Sequence, residues 1–323
     1  MYRNMLLHID SLKVTFTLEQ GVATAVDRIS FSIKESETLG IVGESGSGKS
    51  VTALSILRLL PQPHGRISDG KIIFEGKDLL KFDDFEMRGI RGNKISMIFQ
   101  DPMSSLNPVY TVGNQLSESF KLHQKMSKKA AFEKSIEMLN IVGIPSPEER
   151  VLNYPYQLSG GMCQRVMIAM AIACQPKLML ADEPTTALDV TIQKQILKLM
   201  REMQNKFGTS IILITHNLGI IAEMAKNVIV MYAGSILEYA PVRSLFEDPR
   251  HPYTKGLLKA IPRPDVKIAR LSIIPGIVPN PLTVPSGCKF HNRCEHSMKI
   301  CAEKDPPEKS FGDGHLCKCW LYC

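Results

Sequence analysis

The sequence predicts an α/β fold, because short apolar segments typical of buried strands alternate with longer amphipathic segments typical of helices. Leu178–Ala181 and Ser210–Thr215 have the composition of buried parallel strands, and Val190–Phe207 between them has the length of a helix. Thr38–Val42 is a third apolar strand. It leads into a loop of glycines and serines, and Ser50–Leu60 behind the loop is helical until a proline ends it. We therefore predict a mixed-sheet core with helices between its strands.

The rest of the chain predicts further strands and a helical insertion. Three segments in the first hundred residues show the alternation of half-buried strands: Leu7–Thr17, Asp27–Ile33 and Lys71–Glu75. Residues 102–165 are mostly helical in pattern, with Ser127 as a candidate N-cap. Val228–Tyr239, interrupted by an Ala-Gly pair, predicts a terminal hairpin.

The composition argues against a membrane-spanning or secreted chain. Of 323 residues, 44% are hydrophobic and 22% are charged, as in ordinary globular domains. Apolar runs such as Val166–Cys174 reach about half of the roughly 18 residues that a membrane span needs, and the N terminus lacks the apolar core of a signal peptide. The net charge of +7 arises from basic residues interspersed with acidic ones. We therefore expect no nucleic-acid partner and a chain that stays in the cytosol.

The segment GESGSGKS follows one predicted strand and precedes a predicted helix, which is the context that the motif G-x4-G-K-[ST] requires. Its glycines let backbone N–H groups turn toward phosphates, and the helix N-terminus adds a favourable potential. Lys49 is expected to reach the β- and γ-phosphates, and Ser50 is expected to bind Mg²⁺. The predicted nucleotide-binding residues are Gly43, Glu44, Ser45, Gly46, Ser47, Gly48, Lys49 and Ser50.

Two adjacent carboxylates, Asp182 and Glu183, follow the apolar strand at Leu178–Ala181. At the tip of a strand, Asp182 is suited to bind Mg²⁺ directly or through water, and Glu183 can polarise the attacking water as a general base. An exposed acidic turn would have the same sequence, so this assignment depends on the phosphate loop upstream.

Between these two motifs lies LSGGMCQR, Leu158–Arg165, which resembles the LSGGQ signature of the ABC transporter ATPases. Met162 stands where the signature has glutamine. In that family the signature of one subunit closes over ATP bound to the phosphate loop of another subunit. Ser159 and the amides of Gly160 and Gly161, at a helix start, would donate to a γ-phosphate.

Other residues match the same family in order along the chain. Gln100 resembles the Q-loop glutamine, which senses Mg²⁺ and water and links to the membrane subunits. Ala187–Leu188–Asp189 resembles the D-loop, which contacts the opposite subunit, and Asp189 is an expected ATP-binding residue. His216 resembles the switch histidine that contacts the γ-phosphate. Phe16 resembles the aromatic residue that stacks on adenine, although a phenylalanine in a strand is also an ordinary core residue.

The resemblance covers residues 5–240 and implies an ABC ATPase domain at about 5–245. Its expected fold is a P-loop ABC ATPase with a mixed-sheet core, an antiparallel β subdomain and an α-helical signature subdomain at about 102–165. ATP and Mg²⁺ are the implied cofactors. Glu183 and His216 are both present, which predicts a working hydrolytic site.

Beyond about residue 245 prolines recur, and we expect a small appended Cys/Pro-rich region at 246–323. The segments IFQDPMSSLNP, HPYTKGLLKAIP and SIIPGIVPNPLTVPSGCKFHNRC resemble the oligopeptide/dipeptide ATP-binding subunits of the peptide and nickel importer branch. The resemblance implies import of di- or oligopeptides across the cytoplasmic membrane, with nickel or another small solute as the alternative cargo.

Six of the eight cysteines follow residue 287, and in a reducing cytosol such a cluster indicates metal binding before disulfides. Four thiolates suit an iron–sulfur cluster or zinc, but the spacings match neither common pattern, so free thiols are a third reading. The family resemblance implies a [4Fe–4S] cluster on Cys288, Cys294, Cys301 and Cys319, with Cys317 as the alternative fourth ligand.

The chain has one ATP-binding region, so the resemblance implies a second, related ATPase subunit. It also implies two transmembrane permease subunits, an extracellular solute-binding protein that acts indirectly, and a peripheral position at the cytoplasmic face of the cell membrane. Two alternative functions are a soluble, non-transport ABC ATPase and a regulatory Fe–S protein that uses ATP only as a ligand. Repair ATPases carry long coiled-coil insertions and translation factors carry two ATPase regions, and neither feature occurs in the sequence.

Overall fold

The computed structural model describes residues 5–186, 188–260 and 274–323. Residue contacts divide the chain into two compact units. The first unit contains the chain up to Ile33, Thr38–Leu80 and Ile214–Cys323, and the second contains Lys34–Glu37 and Lys81–Leu213. Each unit is thus assembled from segments that are far apart in sequence. The domain limits expected from the sequence, 5–245 and 246–323, stay predictions.

Strands and helices alternate along the described residues. The strands are β1 (Leu7–Leu18), β2 (Gly21–Ile33), β3 (Thr38–Val42), β4 (Gly65–Phe74), β5 (Lys77–Asp78), β6 (Ile95–Ile98), β7 (Leu178–Asp182), β8 (Ser210–Ile214), β9 (Asn227–Tyr232), β10 (Ser235–Pro241), β11 (Glu308–Ser310) and β12 (Leu316–Lys318). The α-helices are α1 (Lys49–Ile56), α2 (Asp84–Ile90), α3 (Pro102–Ser105), α4 (Val112–His123), α5 (Lys128–Ile141), α6 (Pro147–Arg150), α7 (Gly160–Ile172), α8 (Val190–Phe207), α9 (Leu218–Met224), α10 (Val242–Glu247), α11 (Pro252–Lys259) and α12 (Lys299–Glu303). Short 3-10 helices lie at Leu79–Lys81, Pro155–Gln157, His291–Arg293 and Trp320–Tyr322.

The first unit contains an antiparallel sheet in the order β2-β1-β4-β5. Strand β1 pairs along its length with β2 on one side and with β4 on the other. Leu7 and Ile9, and then Leu12 and Val14 beyond a shift in register, have no exposed surface, which confirms the half-buried strand expected from the sequence.

A second set of strands in the first unit has the order β11-β12-β10-β9-β3. Strand β3 is parallel to β9, and the hairpin β9–β10 is the one expected from the sequence. This hairpin is not terminal, however. Strand β12 pairs with β10, with Cys317 opposite Glu238, because the unpaired edge of β10 offers backbone groups that a returning strand can bond.

Helix α1 is shorter than the predicted Ser50–Leu60. It ends at Ile56, and Arg58 has a φ of 52°, so the chain turns away before it reaches the proline that was expected to stop the helix. The amino acids beyond Ile56 are compatible with a helix. Intrinsic helix propensity therefore does not account for the early end.

The second unit contains β6 and β7 in parallel, with β7 between β6 and β8. Its helices surround buried side chains such as Phe120, which has no exposed surface. Ser127 caps α5 as predicted, since its side chain accepts a hydrogen bond from the N–H of Ala130 at 3.3 Å. Helix α8 has the predicted bounds. Across the described parts of the chain, no helix combines the length and apolar character that a membrane crossing requires.

Candidate nucleotide site

The predicted phosphate loop begins where β3 ends, and β3 is buried over its whole length. Gly43 has a φ of 153°, and a Cβ atom there would lie 2.2 Å from the carbonyl oxygen of Met231. The residue must therefore be glycine for the loop to approach β9 this closely. Gly46 and Gly48 also have positive φ angles, of 78° and 99°, and α1 begins directly after Gly48.

Lys49 is 6% exposed and lies over the start of its own loop. Its Nζ donates to the carbonyl oxygens of Gly43 at 2.8 Å and of Glu44 at 2.9 Å, and it is 3.4 Å from the hydroxyl of Ser47. These bonds fix the ammonium group inside the loop, where it can act on a bound anion. The phosphate contacts themselves stay a prediction.

The other loop residues differ in exposure. Ser45 and Gly46 are exposed at the tip, and a Cβ atom at Gly46 would meet nothing within 4 Å. Ser47 and Gly48 are buried, and Ser50 at the start of α1 is half-buried. The tip is thus open to a ligand while the base of the loop is packed.

Two residues that the sequence analysis did not single out contact this loop from the C-terminal part of the same unit. The N–H of Glu44 donates to the hydroxyl of Tyr253 at 2.9 Å. The carboxylate of Glu44 accepts two hydrogen bonds from Arg293, at 2.8 and 3.2 Å. No spacing in the sequence relates these residues, because Glu44 and Arg293 are 249 positions apart.

Phe16 and His216 also lie in the first unit. Phe16 is half-buried in β1, so part of its ring is available for stacking. His216 is exposed in the turn between β8 and α9, and the side chain of Asn217 beside it caps α9. Their nucleotide contacts stay predictions.

In the second unit, Asp182 ends β7 and is 4% exposed. Glu183 follows with a φ of 47° and is half-buried. Its carboxylate accepts hydrogen bonds from the hydroxyl of Thr186 at 2.8 Å and from the amide of Gln100 at 3.4 Å. The structure therefore brings together the two residues to which the sequence assigned the water, Glu183 and Gln100. Thr186 was not predicted.

The signature segment opens α7. Ser159 is its N-cap and accepts a hydrogen bond from the N–H of Met162 at 3.3 Å. Ser159 and Gly160 are exposed and a Cβ atom at Gly160 would meet nothing within 4 Å, whereas Gly161 faces Ile192. Ser159 and Gly160 thus lie at an exposed helix start, and their contact with a phosphate stays a prediction.

Gln164 connects the signature helix to the acidic pair. Its side chain is 2% exposed, and its amide donates to the carbonyl oxygen of Pro184 at 2.6 Å. Pro184 directly follows Glu183, so this bond holds the backbone beside the proposed base. The sequence did not predict this contact, because Gln164 and Pro184 are 20 positions apart and lie in different motifs.

The structure describes part of the predicted D-loop. Ala187 lies outside the described residues. Asp189 is exposed and is the N-cap of α8, where it accepts a hydrogen bond from the N–H of Ile192 at 2.9 Å. Asp189 thus has a local structural role in this chain, and its role toward a nucleotide stays a prediction.

None of the eight cysteines forms a disulfide. Burial and the neighbouring thiols of Cys301, Cys319 and Cys294 raise the pKa of Cys288 to about 11. The N–H of Cys288 also donates to the carbonyl oxygen of Cys301 at 2.8 Å. The soft donor set fits an iron–sulfur cluster or zinc by its chemistry. The arrangement of these side chains does not fit a metal site, because within residues 5–186, 188–260 and 274–323 no group of three or more His, Cys, Asp or Glu could hold a metal ion.

Cys317 differs from these four residues. It lies in β12 and is 1% exposed. Burial, followed by the charge of Glu238, raises its pKa. Its position in a paired strand distinguishes it from Cys319, which follows the strand.

Comparisons with known proteins agree with these motifs. The model of the ABC transporter family matches residues 26–186, and the model of the oligopeptide/dipeptide transporter C-terminal region matches residues 237–301. The chain is 51% identical to the dipeptide transport ATP-binding protein DppD of Bacillus subtilis (strain 168), over 98% of this chain and 94% of that protein. It is 50% identical to the oligopeptide transport ATP-binding protein OppD of Salmonella typhimurium, over 98% and 94% of the two chains.

A solved structure extends the comparison to the fold. It is the dimeric post-hydrolysis state of the ATP-binding cassette MJ0796 bound to ADP and Pi, with a TM-score of 0.66 and 26% identity. The alignment covers 73% of this chain and 99% of that one. The P-loop ABC ATPase fold expected from the sequence is therefore confirmed, and the chain belongs to the ABC transporter ATP-binding proteins, in the branch that has the oligopeptide/dipeptide transporter C-terminal region.

Proposed function

We propose that this chain is the ATP-hydrolysing subunit that powers import of di- or oligopeptides as part of an ABC importer. The observation that carries the proposal is the identity of about half of all residues with dipeptide and oligopeptide transport ATP-binding proteins over 98% of the chain. The motifs expected of an ATP site occur in order between Gly43 and His216. No feature of the chain favours nickel over peptides as the cargo.

The phosphate loop is proposed to bind ATP through its backbone N–H groups and Lys49, whose ammonium is already fixed within the loop. Ser50, Asp182 and Gln100 are the proposed Mg²⁺ ligands. All three supply oxygen atoms, which Mg²⁺ prefers, so the donor set fits the ion. When bound, Mg²⁺ would neutralise charge on the β- and γ-phosphates. Phe16 is the proposed adenine contact, and Ser159 with Gly160, Gly161 and Asp189 would act on the nucleotide of the partner ATPase.

Glu183 is the proposed general base. A carboxylate at the end of a buried strand can accept a proton from water as the water attacks the γ-phosphorus and ADP leaves. The hydrogen bond from Gln100 to Glu183 supports a shared position of these two residues around that water. His216 and Lys49 would stabilise the negative charge that develops on the γ-phosphate.

The proposed assembly contains a second, related ATPase subunit and two transmembrane permease subunits, with a solute-binding protein outside the cell. The chain would lie at the cytoplasmic face of the membrane, where it can meet both the permeases and ATP. The dimeric state of the ATP-binding cassette MJ0796 supports pairing of two ATPase domains.

The proposal is tested with the Glu183→Gln variant, assembled with its permeases and partner ATPase in vesicles. We expect normal ATP binding, loss of ATP hydrolysis by about a hundredfold, and loss of labelled dipeptide uptake, because the amide cannot accept the proton. Glu202→Gln is the matched control, since Glu202 lies on α8 in the same unit and pairs only loosely with Lys198 at 3.8 Å. Hydrolysis at the unmutated rate in the Glu183→Gln assembly would contradict the assignment of the base. ATP-driven uptake of another solute in place of peptides would contradict the assignment of peptides as the cargo.

We also propose that the C-terminal thiols hold a [4Fe–4S] cluster on Cys288, Cys294, Cys301 and Cys319. The support is the soft donor chemistry of the four thiols, together with the hydrogen bond from the N–H of Cys288 to the carbonyl oxygen of Cys301 at 2.8 Å. Binding would require the thiols to move from their described arrangement. Cys319 is preferred over Cys317, whose side chain is buried in the paired strand β12.

Anaerobic purification followed by iron and acid-labile sulfide assays tests this proposal. We expect four iron and four sulfide per chain in the natural protein, as the proposed cluster contains, and a loss of both in Cys319→Ser. Cys317→Ser and Cys174→Ser are the controls and should retain the iron. Zinc in place of iron, or no metal at all, would exclude the cluster.

A further inference from the structure

Glu44, the second residue of the phosphate loop, is held through every polar group that it has. Its N–H donates to Tyr253 at 2.9 Å, its carbonyl oxygen accepts from Lys49 at 2.9 Å, and its carboxylate accepts two hydrogen bonds from Arg293. Of these partners only Lys49 belongs to the loop. The other two come from the C-terminal part of the first unit.

Arg293 is also held by several residues other than Glu44. Its side chain is 7% exposed, and its Nε donates to the carbonyl oxygen of Pro275 at 2.8 Å. The guanidinium also bonds the carbonyl oxygen of Ile274 at 3.3 Å and lies over the rings of Tyr232 and Phe290, 5.7 and 6.0 Å from their centroids. Because its Nε, Nη1 and Nη2 each donate to a group other than Glu44, the guanidinium needs little reorganisation to pair with a carboxylate.

The charge of this pair matters at this position. A carboxylate within a loop that binds phosphates would repel a triphosphate, since both are anionic. Arginine stays protonated under all physiological conditions and bonds a carboxylate through two parallel N–H groups. The pair therefore cancels the charge of Glu44 and holds the loop backbone at Glu44, whose carbonyl oxygen also binds Lys49.

We infer that Arg293 is a positioning residue for nucleotide binding, which acts by neutralising the carboxylate of Glu44 in the phosphate loop. The inference rests on the proposed assignment of Gly43–Ser50 as the phosphate-binding loop. It makes the C-terminal region, which the sequence analysis treated as a separate appendage, a part of the ATP site.

Calorimetric titration of the full-length chain with MgATP tests the inference. In Arg293→Met we expect the Kd to rise by about tenfold, because the carboxylate of Glu44 is left unneutralised. In the double variant Arg293→Met/Glu44→Gln we expect a Kd within about twofold of the natural protein, since neither charge is present. Glu44→Gln alone should bind MgATP more tightly, by about threefold, because Arg293 then adds an uncompensated positive charge.

Arg250→Met is the matched control. Arg250 lies in the same unit, pairs with Asp248 and stacks on Phe311 at 4.7 Å, but it makes none of the contacts to Glu44. Its loss should leave the Kd for MgATP unchanged. An effect equal to that of Arg293→Met would mean that any arginine of this region supports binding.

Three outcomes would overturn the inference. The first is an unchanged Kd in Arg293→Met, and the second is a Kd in the double variant as weak as in Arg293→Met, which would show a purely structural role. The third is weaker MgATP binding in Glu44→Gln alone, which decides the matter even where Arg293→Met does not fold. The Lys49→Ala variant distinguishes these three outcomes from a failure of the proposed function. If Lys49→Ala binds MgATP normally, the assignment of Gly43–Ser50 as the phosphate-binding loop is wrong.

Discussion

Replacing Gly43 by alanine would place a methyl group inside the contact between the phosphate loop and β9. The new Cβ atom would lie 2.2 Å from the carbonyl oxygen of Met231 and 2.8 Å from the hydroxyl of Ser47. The first contact is about 1 Å shorter than ordinary van der Waals packing allows, and it is made by backbone, which cannot rotate aside. Strand β9 or the loop must therefore move.

The structure gives an approximate size for this effect. Overpacking costs about 1–3 kcal/mol, and alanine at a positive φ adds about 1–3 kcal/mol of backbone strain. We expect Gly43→Ala to lower the free energy of unfolding of the first unit by about 4 kcal/mol. Gly46→Ala is the matched control, because Gly46 has a φ of 78° in the same loop but no atom within 4 Å of its added Cβ. The Gly46→Ala variant should lose only about 1 kcal/mol of stability, which corresponds to the backbone strain.

Urea unfolding without nucleotide, followed by tryptophan fluorescence, measures this difference. Trp320 is the single tryptophan and reports on the first unit, where its indole N–H donates to the carbonyl oxygen of Lys304 at 2.9 Å. Equal losses of stability in Gly43→Ala and Gly46→Ala would contradict the predicted clash at Gly43, since backbone strain alone would then account for both.

Three further predictions concern a buried histidine, a buried amide and a helix cap. Burial, followed by the charge of Lys255, lowers the pKa of His251 to about 3, so the unfolded chain binds a proton below its ordinary pKa of 6.5 while the folded chain does not. Stability should therefore fall as pH decreases from 6.5 to 5, by about 2 kcal/mol, and urea midpoints should lose this part of their pH dependence in His251→Asn. Gln164→Leu should lower kcat for ATP about tenfold with little change in KM, because it removes the bond that holds the backbone beside Glu183; a change in KM alone would contradict this. Ser159→Ala should lower stability by about 1 kcal/mol through loss of the α7 N-cap, whereas an unchanged melting temperature would show that the cap contributes nothing.

Several elements could be predicted because their signals lie within a few residues. Helix α8 has the predicted bounds Val190–Phe207, and Ser127 caps α5 as expected. The end of α1 differs from the prediction, because Arg58 has a positive φ that the helix-forming residues around it do not indicate. The hairpin β9–β10 was correct as a local pattern, but its edge is covered by β12, which lies far along the chain.

The amino-acid sequence alone indicates which chemical groups are present and in what order: the phosphate loop, the signature at the start of α7, the acidic pair after β7 and the cysteines near the C terminus. Tertiary structure decided which of them meet other parts of the chain. Arg293 and Tyr253 contact Glu44 across more than 200 residues, and Gln164 bonds the carbonyl oxygen of Pro184. Motif spacing is a local property of the chain, whereas such contacts depend on how whole segments pack, so only the folded structure reveals them.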